Sequence, residues 1–438
     1  MQRLAAVRVG LDWGEWPHLQ PCYALVHNAG MHKAPQTNPF TFGDLALDEA
    51  FTDREEELQE LASDMANGQN VLVYAPRRYG KSSLILRAAQ EALQRKALVA
   101  YCDLMKTPTK ERFAAALAKT IYADIASPMG QAFERAAELF RGLRILPTME
   151  VDPADGSLRF SFQAGRRRSD IDETIERLLE LFGELAVERR RRVVAIFDEF
   201  QEIIALDPKF PNLMRAVFQA QPEVSHVYLG SKRHVLERIF NDRNEPFWRS
   251  AKQLEIGMIP ALRFAPFLKE RFAESGKSIS ADALDHLLNL SGGHPYGTQE
   301  LAYFVWELVE PGGKATLDTV DTALSRVLRS EHNHFAQLWD DAPRTQRQLM
   351  LALAEEPTAA IYSAAYHESH ELPSNPTLQT ALRSLIDKDV VSRDAEGCYR
   401  VIEPFLGPWL LRSQMGYGMQ GLVERQPTGS LVDNQQSS

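Results

Sequence analysis

The hydrophobic pattern changes period several times along the chain. Three short runs, NVLVYAP (70–76), ALVAYCDL (97–104) and RRVVAIFDEF (191–200), are apolar at consecutive positions, and HVYLGS (226–231) is a fourth. Strands covered on both faces read this way. Between them, residues 50–66, 82–96, 109–124, 130–142 and 170–188 follow a helical period. Strand and helix in alternation predict an α/β fold, a parallel sheet sandwiched by helices. Residues 148–162 alternate around Pro153–Gly156, which predicts an inserted β-hairpin. In the first helix Asp53 is the expected N-cap, with Glu56 at the capping-box position, and Asn67-Gly68 is the expected end.

After about residue 260 the strands stop. Helical periodicity over 264–275, 281–290, 295–310 and 316–331 predicts a helical lid. From Pro343 three short helices (344–354, 359–368, 375–387) precede two alternating strands in 390–402 with a turn at Asp394–Gly397, a winged-helix pattern. The expected division is an N-terminal extension, 1–37, a core, 38–260, the lid, 261–335, the winged helix, 336–412, and a polar tail, 413–438. The extension and tail are expected to be disordered, and Met31 is a second candidate start.

Composition narrows the function classes. The chain has 438 residues, and at roughly 150 per domain that means two or three domains. Its net charge of −10 makes it a poor general binder of nucleic acid, whose affinity rests on neutralising phosphates. Its three cysteines, Cys22, Cys102 and Cys398, lie far apart. That argues against a structural zinc site or disulfide framework and fits a reducing cytoplasm. No apolar stretch is long enough for a membrane span.

The chemistry begins at YAPRRYGKSSLI (74–85). It follows a buried strand and opens a helix, the context of a phosphate-binding loop. Successive backbone N–H groups around Tyr79, Gly80, Lys81, Ser82 and Ser83 form the expected cradle, and Ala75, Pro76, Arg77 and Arg78 belong to the same expected binding loop, Pro76 stiffening its turn. Lys81 is expected to reach the β- and γ-phosphates and Ser82 to coordinate Mg2+. Ala75 stands where the usual pattern has glycine. The second half is VVAIFDEFQEI (193–203), which ends a buried strand in two carboxylates, where open α/β sheets bind ligands. Asp198 is expected to hold Mg2+ through water and Glu199 to polarise the attacking water. Ser231, after the strand of VYLGSKRH, either lies between these motifs or caps the next helix. Arg243 and Arg249 are arginine-finger candidates. Arg189–Arg192 reads as a helix C-terminal cap. Arg77 and Arg78 have phosphate, a partner or an acidic neighbour such as Glu202 as candidate contacts.

Together FTDREEEL, APRRYGKSSL, VVAIFDEFQEI, GSKRHVLERIFNDRNEPFW and SGGHPYGTQEL resemble the archaeal-type ATPases, AAA-like P-loop proteins of the STAND group related to the origin-recognition ATPases. The resemblance covers about 38–410. Thr52-Asp53 departs from the family's F-x-G-R-E, and Arg54-Glu55 remains. The resemblance implies ATP as ligand and Mg2+ as cofactor. It also implies that Phe51 and Arg54 border the adenine and that Gly293-x-Pro295 is a lid motif near the nucleotide, with His294 and Tyr296 beside it. A loop that starts the next helix with proline explains the same residues without a ligand. No N-K-x-D motif for guanine is found. The function expected is a slow regulatory ATPase with a protein partner and the option of oligomerisation. The alternatives are a DNA-binding ATPase of replication, transposition or defence type, and a non-hydrolysing scaffold.

Overall fold

A computed structural model of the protein describes residues 37–43, 51, 53–121, 146–151, 158–163, 168–394 and 397–414. The expected extension over 1–37 apart from its last residue, the helix at 130–142, the hairpin turn at Pro153–Gly156 and the tail beyond 414 lie outside the described residues.

The strands β1 (Val71–Tyr74), β2 (Leu98–Asp103), β5 (Val193–Asp198), β6 (Val224–Gly230) and β7 (Lys252–Glu255) form one parallel sheet in the order β2-β5-β6-β1-β7. Their side chains alternate between two cores. Leu72, Ala195 and Phe197 face one; Val71, Val73, Val194 and Ile196 face the other. This two-sided covering is why the runs are continuously apolar. Helices α1 (Glu55–Asn67) and α2 (Lys81–Gln94) pack on each other. Helices α3 (Lys110–Thr120), α4 (Arg168–Arg189), α5 (Phe210–Phe218) and α6 (Arg233–Asn241) complete the layers. β3 (Leu146–Val151) and β4 (Leu158–Gln163) pair antiparallel as the predicted hairpin insertion.

Several local expectations change. Arg54, with φ 78, occupies the cap position of α1, and no side chain caps that helix. Asp53 is itself left-handed (φ 53) and pairs with Arg263 at 3.2 Å. The arginines after α4 hold neighbouring loops. Arg191 bonds the Lys96 and Ala97 carbonyls, and Arg192 bonds Pro222 at 2.7 Å.

Beyond the sheet come α7 (Ala261–Glu274), α8 (Ala281–Ser291), α9 (Pro295–Leu308), α10 (Leu317–Ser330) and α11 (His332–Asp340). Strands do not stop entirely, since β8 (Ser278–Ile279) and β9 (Lys314–Ala315) form a short parallel pair. Then α12 (Arg344–Glu355), α13 (Ala364–Ser369) and α14 (Asn375–Asp387) precede β10 (Val391–Arg393) and β11 (Tyr399–Val401), and α15 (Leu406–Gln414) returns onto α12. One continuous apolar cluster runs through both parts, from Phe264, Leu284 and Val305 through Phe335 to Leu349, Leu382 and Trp409. The lid is tied to the sheet where Ile256 N–H donates to Tyr74 and Ile259 N–H to Gly293. At Gly293 (φ +72) a Cβ would stand 2.1 Å from the Ile259 carbonyl oxygen, so only glycine fits.

Candidate functional site

The loop after β1 lies at the C-terminal edge of the sheet. Arg78 (φ 67) and Gly80 (φ 79) are both left-handed, which turns successive N–H groups toward one concavity at the start of α2. No protein atom lies within 4 Å of where a Gly80 Cβ would stand, so this backbone faces open space. Ala75 does not have positive φ, and its amide reaches the Gly230 carbonyl at 3.4 Å. A glycine is therefore not required there, and the unusual first letter costs the loop nothing.

Asp198 and Glu199 end β5, and β6 separates that strand from β1. Ser231 follows β6, so topology places it between the two motifs. Its hydroxyl donates to Glu199 Oε2 at 3.0 Å, and Lys232 rather than Ser231 holds the α6 cap position, without a side-chain bond. Lys81, only 7% exposed, sets Nζ 3.6 Å from Glu199 Oε1. Gln201 Nε2 donates to Glu199 Oε2, and Tyr101, on β2, donates its hydroxyl to Asp198 Oδ2. The Glu199 amide donates to Asp198 Oδ1 at 2.8 Å. Sequence reasoning missed Tyr101 and Gln201. Glycine at 230 is the trace of Gln201, since a Cβ there would meet its Oε1 at 2.2 Å.

The two carboxylates are held differently. Burial works against the charge of Glu199, but Lys81, Gln201, Ser231 and Arg77 together keep its carboxyl below the usual range. Burial pushes Asp198 up, and Lys81 and Tyr101 offset this only in part. The donor set of Ser82 hydroxyl and Asp198 carboxylate is all hard oxygen, which suits Mg2+. The turned amides and Lys81 suit phosphate. The residues present therefore fit a metal-bound nucleoside triphosphate.

Arg78 meets two distant parts of the chain. Its guanidinium lies 4.3 Å from the Tyr296 ring centre and 3.8 Å from the carboxylate of Glu403, beyond the wing. Glu202, expected as an acidic neighbour, is held by Lys232 at 3.0 Å. Tyr79 packs edge-on against His294, ring centres 4.8 Å apart. His294 accepts the Gly297 amide through Nδ1 and Pro295 opens α9, so this loop is a helix start that also touches the phosphate loop. Arg54 donates to the Gly257 carbonyl and to Glu57, while Phe51 lies under Arg87. Arg249 sits just before β7, stacked on Trp248, and Arg243 follows α6. The parallel register of β1 and β7 puts the start of β7, and Arg249 before it, at the end of the sheet opposite the loop.

Behind Tyr296, Glu300 is 1% exposed and faces a second carboxyl, that of Glu331. Burial first, then Glu331, pushes its carboxyl up to about 8, against the pull of Arg78. Folded Glu300 thus keeps a proton that the unfolded chain, near 4.5, gives up. Its contribution is complete below pH 4.5 and is lost as pH rises through about 8. Glu300→Gln should therefore gain stability on the wild type across that window, read as a widening difference in melting temperature between pH 5 and pH 8.5. A constant difference would show that Glu300 does not titrate there.

Residues 51–301 match the model of an ATPase domain family found predominantly in Archaea. The chain belongs to that family. This ATPase also carries, at 333–412, a match to a probable winged helix domain. The Walker-type ATPase PABY2304 of Pyrococcus abyssi is 17% identical, with 83% of this chain and 97% of that one covered at a TM-score of 0.56, which speaks for the fold. The Aeropyrum pernix ORC1 protein in complex with DNA is 17% identical over 84% of this chain and 94% of that one, TM-score 0.42. The RuvB Holliday junction branch migration motor of Thermotoga maritima is 12% identical over 85% and 98%, TM-score 0.40. No curated protein matches. Among the described residues no helix is long and apolar enough to cross a membrane.

Proposed function

We propose that this ATPase is a nucleotide-operated switch, in which the occupant of the phosphate loop sets the position of the lid and winged helix. The observation that carries this reading is Arg78. One loop residue touches Tyr296 of the lid and Glu403 of the winged-helix region, so a phosphate that moves Arg78 must alter both contacts. In this reading the backbone of residues 75–83 cradles the phosphates and Lys81 neutralises their terminal charge. Phe51 and Arg54 border the base, with Pro295 on the lid side. Ser82 and, through water, Asp198 hold Mg2+, which when bound supplies positive charge to the phosphate oxygens. Glu199, kept ionised by its partners, takes the proton of the attacking water, and Ser231 fixes the orientation of Glu199. The working parts are the core, 38–260, the lid, 261–335, and the winged helix, 336–412. A cytoplasmic location suits this reading, since the three cysteines lie far apart in the sequence with no CxxC pair.

Hydrogen exchange tests the reading. With ATP bound to the Glu199→Gln protein, amides near Ile256–Ile259 and in β10–β11 should exchange faster or slower than with ADP. Arg78→Ala should bind nucleotide within about 5-fold of wild type yet lose that difference, because the removed contact is a half-exposed ion pair worth under ~1 kcal/mol. Identical exchange in both nucleotide states would count against the switch. The DNA alternative gains little from α14, whose exposed Arg383 is offset by Asp387. Salt-sensitive DNA retention would revive it.

A further inference from the structure

Tyr101 stands outside the roles assigned above. It lies on β2, paired in register with Ile196, two residues before the Asp103–Asp198 pair. Its hydroxyl has one proton to give, and gives it to Asp198 Oδ2. The backbone of β2 at this residue is held as well, since Thr120 Oγ1 donates to the Tyr101 carbonyl at 3.1 Å. Asp198 Oδ1 is fixed separately by the Glu199 amide. Both carboxylate oxygens therefore have a donor, and the plane of the group is set. Asp103, paired in register with Asp198, is engaged elsewhere, because it accepts the Met105 amide at 3.1 Å and pairs with Lys106 at 2.9 Å.

We propose that Tyr101 is a positioning residue for the cation site: its hydroxyl, with the Glu199 amide, fixes the plane of the Asp198 carboxylate, the group that would hold Mg2+ through water. This rests on the reading of Asp198 as the carboxylate that holds Mg2+. The torsion of a terminal carboxylate is broad and roughly two-fold, so without a second donor the group samples many planes. A carboxylate oxygen accepts more than one hydrogen bond, so the phenol and a metal-bound water share Oδ2. Removing a partner that orients a metal ligand typically costs 10- to 100-fold in metal affinity. Tyrosine in place of a smaller donor also excludes solvent from this side of Asp198, which is itself 7% exposed.

The test is a Mg2+ titration of fluorescent ATP-analogue binding by full-length wild type, Tyr101→Phe and Asp198→Asn, alongside binding of the matching ADP analogue in EDTA. For Tyr101→Phe the Mg2+ concentration at half-saturation should rise by about 10-fold or more. Affinity in EDTA should stay within about 2-fold, because the phosphate cradle is untouched; this arm also certifies folding. A merely structural tyrosine would change both arms together. If Asp198→Asn raises the Mg2+ requirement and Tyr101→Phe does not, the positioning role is overturned while the Asp198 assignment stands. If neither variant shifts the titration, the Asp198 assignment itself falls, and the role of Tyr101 with it.

Discussion

Glu199→Gln should lower ATP turnover by about 10²- to 10⁴-fold, the usual contribution of a positioned acid or base, while ATP still binds. The amide keeps the shape of the carboxylate and its contact with the Ser231 hydroxyl, but has no charge and cannot take a proton. Lys81, now facing Asp198 alone on the protein side, remains available to phosphate. Steady-state hydrolysis and binding of a fluorescent ATP analogue, measured on one preparation, separate the two effects. Turnover within 10-fold of wild type would remove Glu199 as the base. Loss of both hydrolysis and binding would instead mean that Glu199 matters through its hold on Lys81.

Lys81→Ala should weaken ATP affinity roughly 10- to 100-fold, as expected for a lost hydrogen bond to a charged group. It should also destabilise the nucleotide-free protein. Lys81 is the main opposite charge acting on both Asp198 and Glu199. Its removal leaves two adjacent, largely buried carboxylates, and breaking a buried pair costs about 3 kcal/mol. Denaturant unfolding of Lys81→Ala, Glu199→Gln and the double variant checks this. The double variant should be more stable than the sum of the singles predicts, since the charge stranded by the first change is removed by the second. Strict additivity would show that the pair at 3.6 Å carries no coupling.

The sheet and the paired motifs were legible because burial writes itself into sequence. Strands β1, β2, β5 and β6 carry consecutive apolar residues, and the Asp198-Glu199 pair closes the run of β5. β7 was not legible, since KQLE is an edge strand whose polar side chains face solvent. The helix at Glu55 was seen, but its cap was misplaced, because the left-handed backbone at Asp53 and Arg54 is fixed by the tertiary contacts of Arg54 with Gly257 and Asp53 with Arg263. Ser231 was open between two roles until strand order set it beside Glu199. Tyr101, 97 positions from Asp198, and Glu403, far beyond Arg78, leave no local mark, because only the register of β2 on β5 and the return of the winged helix onto the loop bring them together.

In the proposed switch the lid and winged helix, which share one apolar cluster, would turn as a single arm about the Ile256–Ile259 tether, and Arg78 would feel the whole arm. Linkage then runs in both directions. If ADP and ATP favour different arm positions, any molecule that grips the wing must alter the preference for ADP over ATP by the same factor that the nucleotide alters its grip. An unknown ligand of the wing would thus betray itself at the phosphate loop, as a change in nucleotide affinity measured without knowing what the ligand is.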